Sequence, residues 1–284
     1  MTAQPAPDRP ERTRTMTPTI SLQLYTVNAA LEPDLDGGLA RLAAIGLDTV
    51  EAFDFVGRAP ELRAAFDRHG ISAKTGHAFL VSEQIPLPDG TVMTAPTHAE
   101  VFAAATTLGL EIVIDPFVAP DEWTTREGVE RIAERLNAAA AEAAEHGLLV
   151  GYHNHDHELR PQIDGVPALE HLAGLLDDRV VLEVDLYWAT AAGVDAPALL
   201  ERLGDRVVAV HVKDGPMRGD VSTANVPTDQ TPAGQGDVPL AAALAAGEHL
   251  RYAVIEFDGQ QGDVFEAVAA SHAWLSAQFE AVSA

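Results

Sequence analysis

The octapeptide Gly151-Tyr152-His153-Asn154-His155-Asp156-His157-Glu158 follows directly on Leu148-Leu149-Val150. The apolar run reads as a buried strand. If the strand continues, alternation puts Gly151, His153 and His155 on one face and Tyr152 and Asn154 on the other. Two imidazoles then emerge side by side at the strand's C-terminal end. His157 alone reads as a satisfied histidine in a polar loop. His153 and His155 read as part of a site, because three later strands end in the same manner.

Upstream and downstream of this stretch, strand-like and helix-like segments alternate. Strands are expected over 19–25, 49–53, 71–77, 111–114, 180–185, 207–212 and 252–257, in addition to the histidine strand. Helices are expected over 35–45, 59–69, 97–108, 129–146, 166–176, 197–203, 239–246 and 263–279. Gly46, Gly70 and Gly147 stop three of them. Thr124 and Glu127 have capping-box spacing ahead of the Ala-rich helix. Residues 82–94 read as an irregular loop long enough to cover something, and 215–237 as a long polar loop. Repeated βα units imply a parallel sheet, and eight of them a single (β/α)8 TIM barrel over residues 18–284. A doubly wound open sheet is the rival, but no Gly-x-Gly-x-x-Gly follows the first strand and no P-loop occurs.

Composition narrows the function. The 284 residues carry 18 Lys and Arg against 43 Asp and Glu, a formal charge of −25. That balance argues against a nucleic-acid partner, and no apolar run approaches the roughly 18 residues of a membrane span. The chain has no cysteine, so disulfides, thiolate zinc sites and a cysteine nucleophile are excluded. Residues 1–17 are rich in Pro, Thr and charge and carry no apolar h-region or adjacent arginine pair. They read as a disordered tail, Met16 as a candidate start, and the compartment as cytoplasmic.

In a barrel of this kind the chemistry sits at the C-terminal ends of the strands. Strand five ends in His153 and His155, and strand six in Glu183 and Asp185. Strand seven ends in His211 and Lys213, and strand eight in Glu256 and Asp258. Imidazole and carboxylate donors without sulfur fit one divalent ion, Mn²⁺ foremost, with Co²⁺, Fe²⁺, Zn²⁺ or Mg²⁺ as alternatives. A structural polar cluster on the rim is the competing reading.

Four segments resemble the sugar phosphate isomerase/epimerase family of the xylose isomerase-like TIM-barrel superfamily. They are Ser21-Leu22-Gln23-Leu24-Tyr25-Thr26-Val27, Tyr152-His153-Asn154-His155, Glu183-Val184-Asp185-Leu186-Tyr187-Trp188 and His211-Val212-Lys213-Asp214. The resemblance covers residues 20–279. It implies a metal held by strands five to eight, with Asp185, His211 and Glu256 matching the last three ligand positions. His153 occupies the place where those enzymes carry a glutamate that is both ligand and base. Ordinary two-base epimerisation is therefore in question, and inosose dehydratases resemble this chain in having a His-rich strand five.

The resemblance further implies an enzyme that forms an enediolate from a keto-sugar or sugar phosphate. Glu256, His155 and Lys213 are its catalytic candidates. His77, Trp188 and Glu51 are candidate substrate contacts, although Glu51 also suits the barrel interior. Glu183, one pleat deeper than Asp185, is expected to orient a ligand. The ending stays open between isomerisation or epimerisation and a lyase reaction on a keto-inositol or 3-keto-glycoside. A non-catalytic sugar-binding barrel is the competing class. A DNA-repair nuclease is disfavoured by the acidic charge. A small carbohydrate is the expected partner, and a homo-oligomer is compatible with the sequence.

Overall fold

A computed structural model describes residues 17–86 and 91–283. Residues 1–16, the bulk of the expected tail, lie outside the described residues. Eight parallel strands form one sheet: β1 (Thr19–Leu22), β2 (Thr49–Ala52), β3 (Ser72–His77), β4 (Ile112–Asp115), β5 (Leu149–His153), β6 (Val180–Asp185), β7 (Val207–Val212) and β8 (Tyr252–Ile255). From β2 to β8 each strand neighbours its successor, and β1 neighbours β8. The remaining edges, β1 and β2, meet through an isolated parallel bridge between Gln23 and Glu51. The sheet is thus a nearly closed TIM barrel.

The ring of helices is α1 (Leu35–Ile45), α2 (Ala59–His69), α3 (His98–Leu108), α4 (Arg126–Ala144), α5 (Ala168–Ala173), α6 (Ala196–Leu203), α7 (Leu240–Ala246) and α8 (Val264–Ser283). Their apolar stripes pack on the outward faces of the strands, where Val50, Val113, Val150, Leu182 and Val210 are fully or almost fully buried. Burying such a side chain is worth about 1.5–3 kcal/mol. A second, smaller cluster of Ile112, Ile114, Val181, Ala209 and Val254 fills the barrel's interior.

Several expected elements are corrected. The first strand stops at Leu22, because the Gln23 side chain accepts the Tyr25 N–H and starts a 3-10 turn over Leu24–Val27. The 82–94 loop contains an antiparallel hairpin of Gln84–Pro86 with Val92–Thr94. α4 begins at Arg126, capped by Thr125 accepting from Gly128, not by a Thr124–Glu127 box. A β-carbon on Gly128 would come within 1.9 Å of the Glu122 carbonyl oxygen, so the helix start is packed onto the preceding turn. α5 starts only after Gln162–Ile163 and Val166–Pro167 pair as a small hairpin. A one-turn helix over Leu186–Ala191, unexpected from the sequence, is capped by Asp185.

Candidate active site

Strand register assembles the site. β6 stands against β5 so that Glu183 neighbours His153, and against β7 so that Asp185 neighbours His211. These side chains follow the interior residues Val181, Ala209 and Val254 by one pleat or two, so a polar layer rests on an apolar floor. Away from bulk water, charge–charge interactions in that layer are strengthened.

The deeper part of the layer is a knot of two carboxylates and three imidazoles. Glu51 Oε1 lies 2.8 Å from His211 Nε2 and 3.0 Å from His77 Nε2, and accepts a hydrogen bond from Gln23 Nε2 at 2.8 Å. Glu183 Oε2 lies 2.8 Å from His77 Nε2, 3.1 Å from His153 Nδ1 and 3.1 Å from His211 Nε2. The rings of His77 and His211 stack with centroids 5.4 Å apart. Glu51 is completely buried and so sits beneath the rim, inside the barrel.

Nearer the mouth, His211 Nδ1 faces Glu256 Oε2 at 2.6 Å and Asp185 Oδ2 at 3.9 Å. Asp185 uses Oδ1 to cap the Leu186–Ala191 turn, accepting from Trp188 N at 2.8 Å, which leaves Oδ2 for the interior. Lys213 Nζ lies 2.7 Å from Glu256, 2.8 Å from Asp258 and 3.0 Å from Asp185. Its other flank faces the Trp188 ring, 5.6 Å from the centroid. His155 packs edge-on to His153 and against Trp188, and its Nδ1 has no hydrogen-bond partner.

The charges follow from these contacts. Burial opposes the charged form of His211, but Glu183 and Glu256 outweigh it and hold its pKa well above the imidazole range. His77 is likewise raised to about 10 against burial, chiefly by Glu51. Burial pulls His153 well down, and the His211 charge adds to that; burial and Lys213 take His155 to about 3. Burial lifts Asp185 to about 6 despite Lys213. Glu256 stays well below the carboxylate range, because Lys213 and His211 overcome its burial.

One donor atom from each of His153, Asp185, His211 and Glu256 lies within 4.8 Å of the other three. A second set, His77, His153, Glu183 and His211, meets the same condition. Opposed ligands at about 2.1 Å from one ion stand roughly 4.2 Å apart, so small side-chain shifts suffice for either set. Glu183 Oε1 is buried without a hydrogen-bond partner, as an oxygen awaiting a cation would be, whereas Asp185 Oδ2 faces the Lys213 ammonium at 3.0 Å. The nitrogen and oxygen donors therefore fit a divalent ion. Sequence reasoning quoted Gln23 within the first family-like segment but gave it no role; its hydrogen bond to Glu51 crosses 28 residues. It also gave no role to Asp258, whose position two residues beyond Glu256 was the available signal.

The xylose isomerase-like TIM barrel model matches residues 39–277. The chain belongs to that family. No protein of curated function matches the sequence. Among solved structures, a sugar phosphate isomerase/epimerase from Parabacteroides distasonis superposes with a TM-score of 0.71 at 20% identity, covering 94% of this chain and 96% of that one. The IolI protein with a bound zinc atom gives 0.66 at 17%, covering 92% and 97%. The 3-keto-D-glucoside 4-epimerase YcjR from E. coli gives 0.64 at 16%, covering 92% and 99%. At these identities the likeness establishes the fold of the family and no more.

Proposed function

We propose that this xylose isomerase-like barrel is a cytoplasmic, divalent-metal-dependent isomerase or epimerase acting on a keto-sugar or sugar phosphate through an enediolate. The observation that carries the reading is the convergence of His153, Asp185, His211 and Glu256 at the C-terminal mouth. Their donors suit Mn²⁺ first among the candidate ions. When bound, such an ion supplies Lewis acidity toward a carbonyl and its neighbouring hydroxyl.

The chain's own groups do the rest. Glu256, kept ionised beside Lys213, takes the proton from the carbon next to the carbonyl. His155, with its unpartnered Nδ1, is the second proton carrier. Lys213 offers N–H donors to the oxygen on which negative charge develops. Trp188 supplies an apolar wall for the sugar ring, and Glu51, Glu183 and His77 orient the imidazoles from below. The reading draws support from the epimerase and isomerase names of the structural neighbours.

One observation favours a second ending from the same intermediate. Strand five presents imidazoles where a second carboxylate base would stand, so loss of a β-substituent is the alternative to reprotonation on the opposite face. Incubation with free ketoses, ketose phosphates, keto-inositols and 3-keto-glycosides in D₂O tests the shared first step. Deuterium should appear on the carbon beside the carbonyl, and Glu256→Gln should abolish the exchange. A stereoisomer as product means epimerase, an aldose–ketose pair isomerase, and an unsaturated ketone lyase. With metal bound, neither label nor product from any compound would refute the proposal in favour of a non-catalytic barrel.

A further inference from the structure

Asn154 stands between His153 and His155 in the sequence and is completely buried. The ladder between β5 and β6 ends at the pair His153–Glu183. Beyond that pair a side chain takes over from the backbone. Asn154 Oδ1 accepts from Asp185 N at 3.2 Å, and Asn154 Nδ2 donates to His155 O at 3.0 Å. One partner is a donor and the other an acceptor, so the two together fix which way the amide faces. A carboxylate of the same shape could keep the first bond but not the second, and a methyl group could keep neither.

Both partners carry groups of the candidate active site. Asp185 is held beside His211 by the β6–β7 register, its Oδ1 caps Trp188 N, and its own N–H ends on Asn154. These three restraints leave Oδ2 to face the interior, where Asp185 joins His153, His211 and Glu256. His155 is pinned on either side of its backbone, since its N–H donates to Glu158 Oε2 at 2.8 Å and its carbonyl accepts from Asn154. With Nδ1 unpartnered, the ring takes its place from that backbone and from packing against His153 and Trp188. A single amide therefore spaces an ion-ligand candidate on one strand from a proton carrier on the next. A misplacement of about 1 Å in such a pair costs on the order of 100-fold in rate.

We infer that Asn154 is a positioning residue that sets Asp185 and His155 relative to each other, so that one substrate meets the ion and the proton carrier together. The inference rests on the enediolate reading above and adds to it a residue that touches neither ion nor substrate.

Two substitutions in the full chain separate its two bonds, with Mn²⁺ as the probe. Asn154→Ala should weaken Mn²⁺ retention in chelator competition by about 10–100-fold. Asn154→Asp, which keeps an acceptor for Asp185 N, should hold Mn²⁺ at least as tightly as the parent. Having lost the donor to His155 O, it should nevertheless exchange deuterium into the keto-sugar panel at least about tenfold more slowly at saturating Mn²⁺. Asn137 is the control, because it makes the same kind of backbone pair on the outer ring, donating to Leu175 O at 3.1 Å and accepting from Asp177 N at 2.7 Å. Asn137→Ala should lower the melting temperature and leave Mn²⁺ retention and exchange as they are. Parental Mn²⁺ retention in Asn154→Ala, or an equal loss in Asn137→Ala, would overturn the inference. Should Asn154→Ala not fold, Asn154→Asp decides by itself: retention kept with exchange slowed supports the inference, and any other pattern overturns it. No exchange by the parent with any compound defeats the functional reading, while the Mn²⁺ affinities still judge the bond to Asp185.

Discussion

Lys213 Nζ lies 2.7 Å from Glu256 Oε2, the same oxygen that faces His211 Nδ1 at 2.6 Å. An ion held by Glu256 must therefore share its carboxylate with an ammonium. Lys213→Met removes that competitor while keeping most of the side chain's bulk. Chelator competition should then find the divalent ion held at least about tenfold more tightly, with turnover of ketoses lost. Unchanged or weaker retention would place the ion elsewhere.

The four converging donors make a second expectation. Asp185→Ala, His211→Ala and Glu256→Ala should each lower metal content in elemental analysis. Glu51→Gln, which alters a partner shared by His211 Nε2, His77 Nε2 and Gln23 Nε2 without replacing any of the four donor residues, should weaken affinity by about 10–100-fold while allowing full loading at excess ion. Full occupancy in all three alanine variants would eliminate the site.

Glu158 gives a pH signature of its own. It is completely buried behind the histidine strand, accepting from Tyr152 Oη at 2.9 Å and His155 N at 2.8 Å. Burial dominates those hydrogen bonds and raises its pKa to about 8. An unfolded chain returns it to roughly 4.3. The folded state thus binds the proton more tightly, so the group's stabilisation is complete below pH ~4.3 and is lost as pH rises through about 8. Glu158→Gln should flatten that part of the profile. The gap in melting temperature between variant and parent should shift in the variant's favour between pH 5 and pH 8.5; a constant gap would show Glu158 already ionised in the fold.

Gly151 opens the octapeptide for a packing reason. A β-carbon there would lie 2.8 Å from Ile114 Cγ1 across the β4–β5 pair. Gly151→Ala should destabilise the protein by about 1–3 kcal/mol in urea unfolding. No loss of stability would mean that Ile114 yields freely.

The barrel was legible because its signals are periodic and local. The β-branched run of 207–212 and the Gly-terminated helices at Gly46 and Gly70 fall where the sequence places them. The strand ends also converge as alternation implies, since one register step puts Asp185 beside His211. What stayed hidden depends on partners far along the chain. Gln23 bonds Glu51 across 28 residues, and Asp214 draws amides from Gly234, Gly236 and Val238. The early end of β1 has a similar cause, a side chain bonding its own backbone two residues on. None of these contacts leaves a period or a spacing in the sequence.

The bridge between Gln23 and Glu51 makes the barrel resemble a split ring whose gap is pinned at the floor of the candidate active site. A ring of that kind yields at its gap before its wall gives way. When β1 and β2 part on heating, Glu51 leaves His211 Nε2, and the imidazole loses its orientation while the other strands remain paired. Turnover should accordingly fade several degrees before the far-ultraviolet dichroism does. Amide deuteration should begin along Ser21–Gln23 and Glu51–Ala52, so that the protein fails as a catalyst while it is still, by its secondary structure, folded.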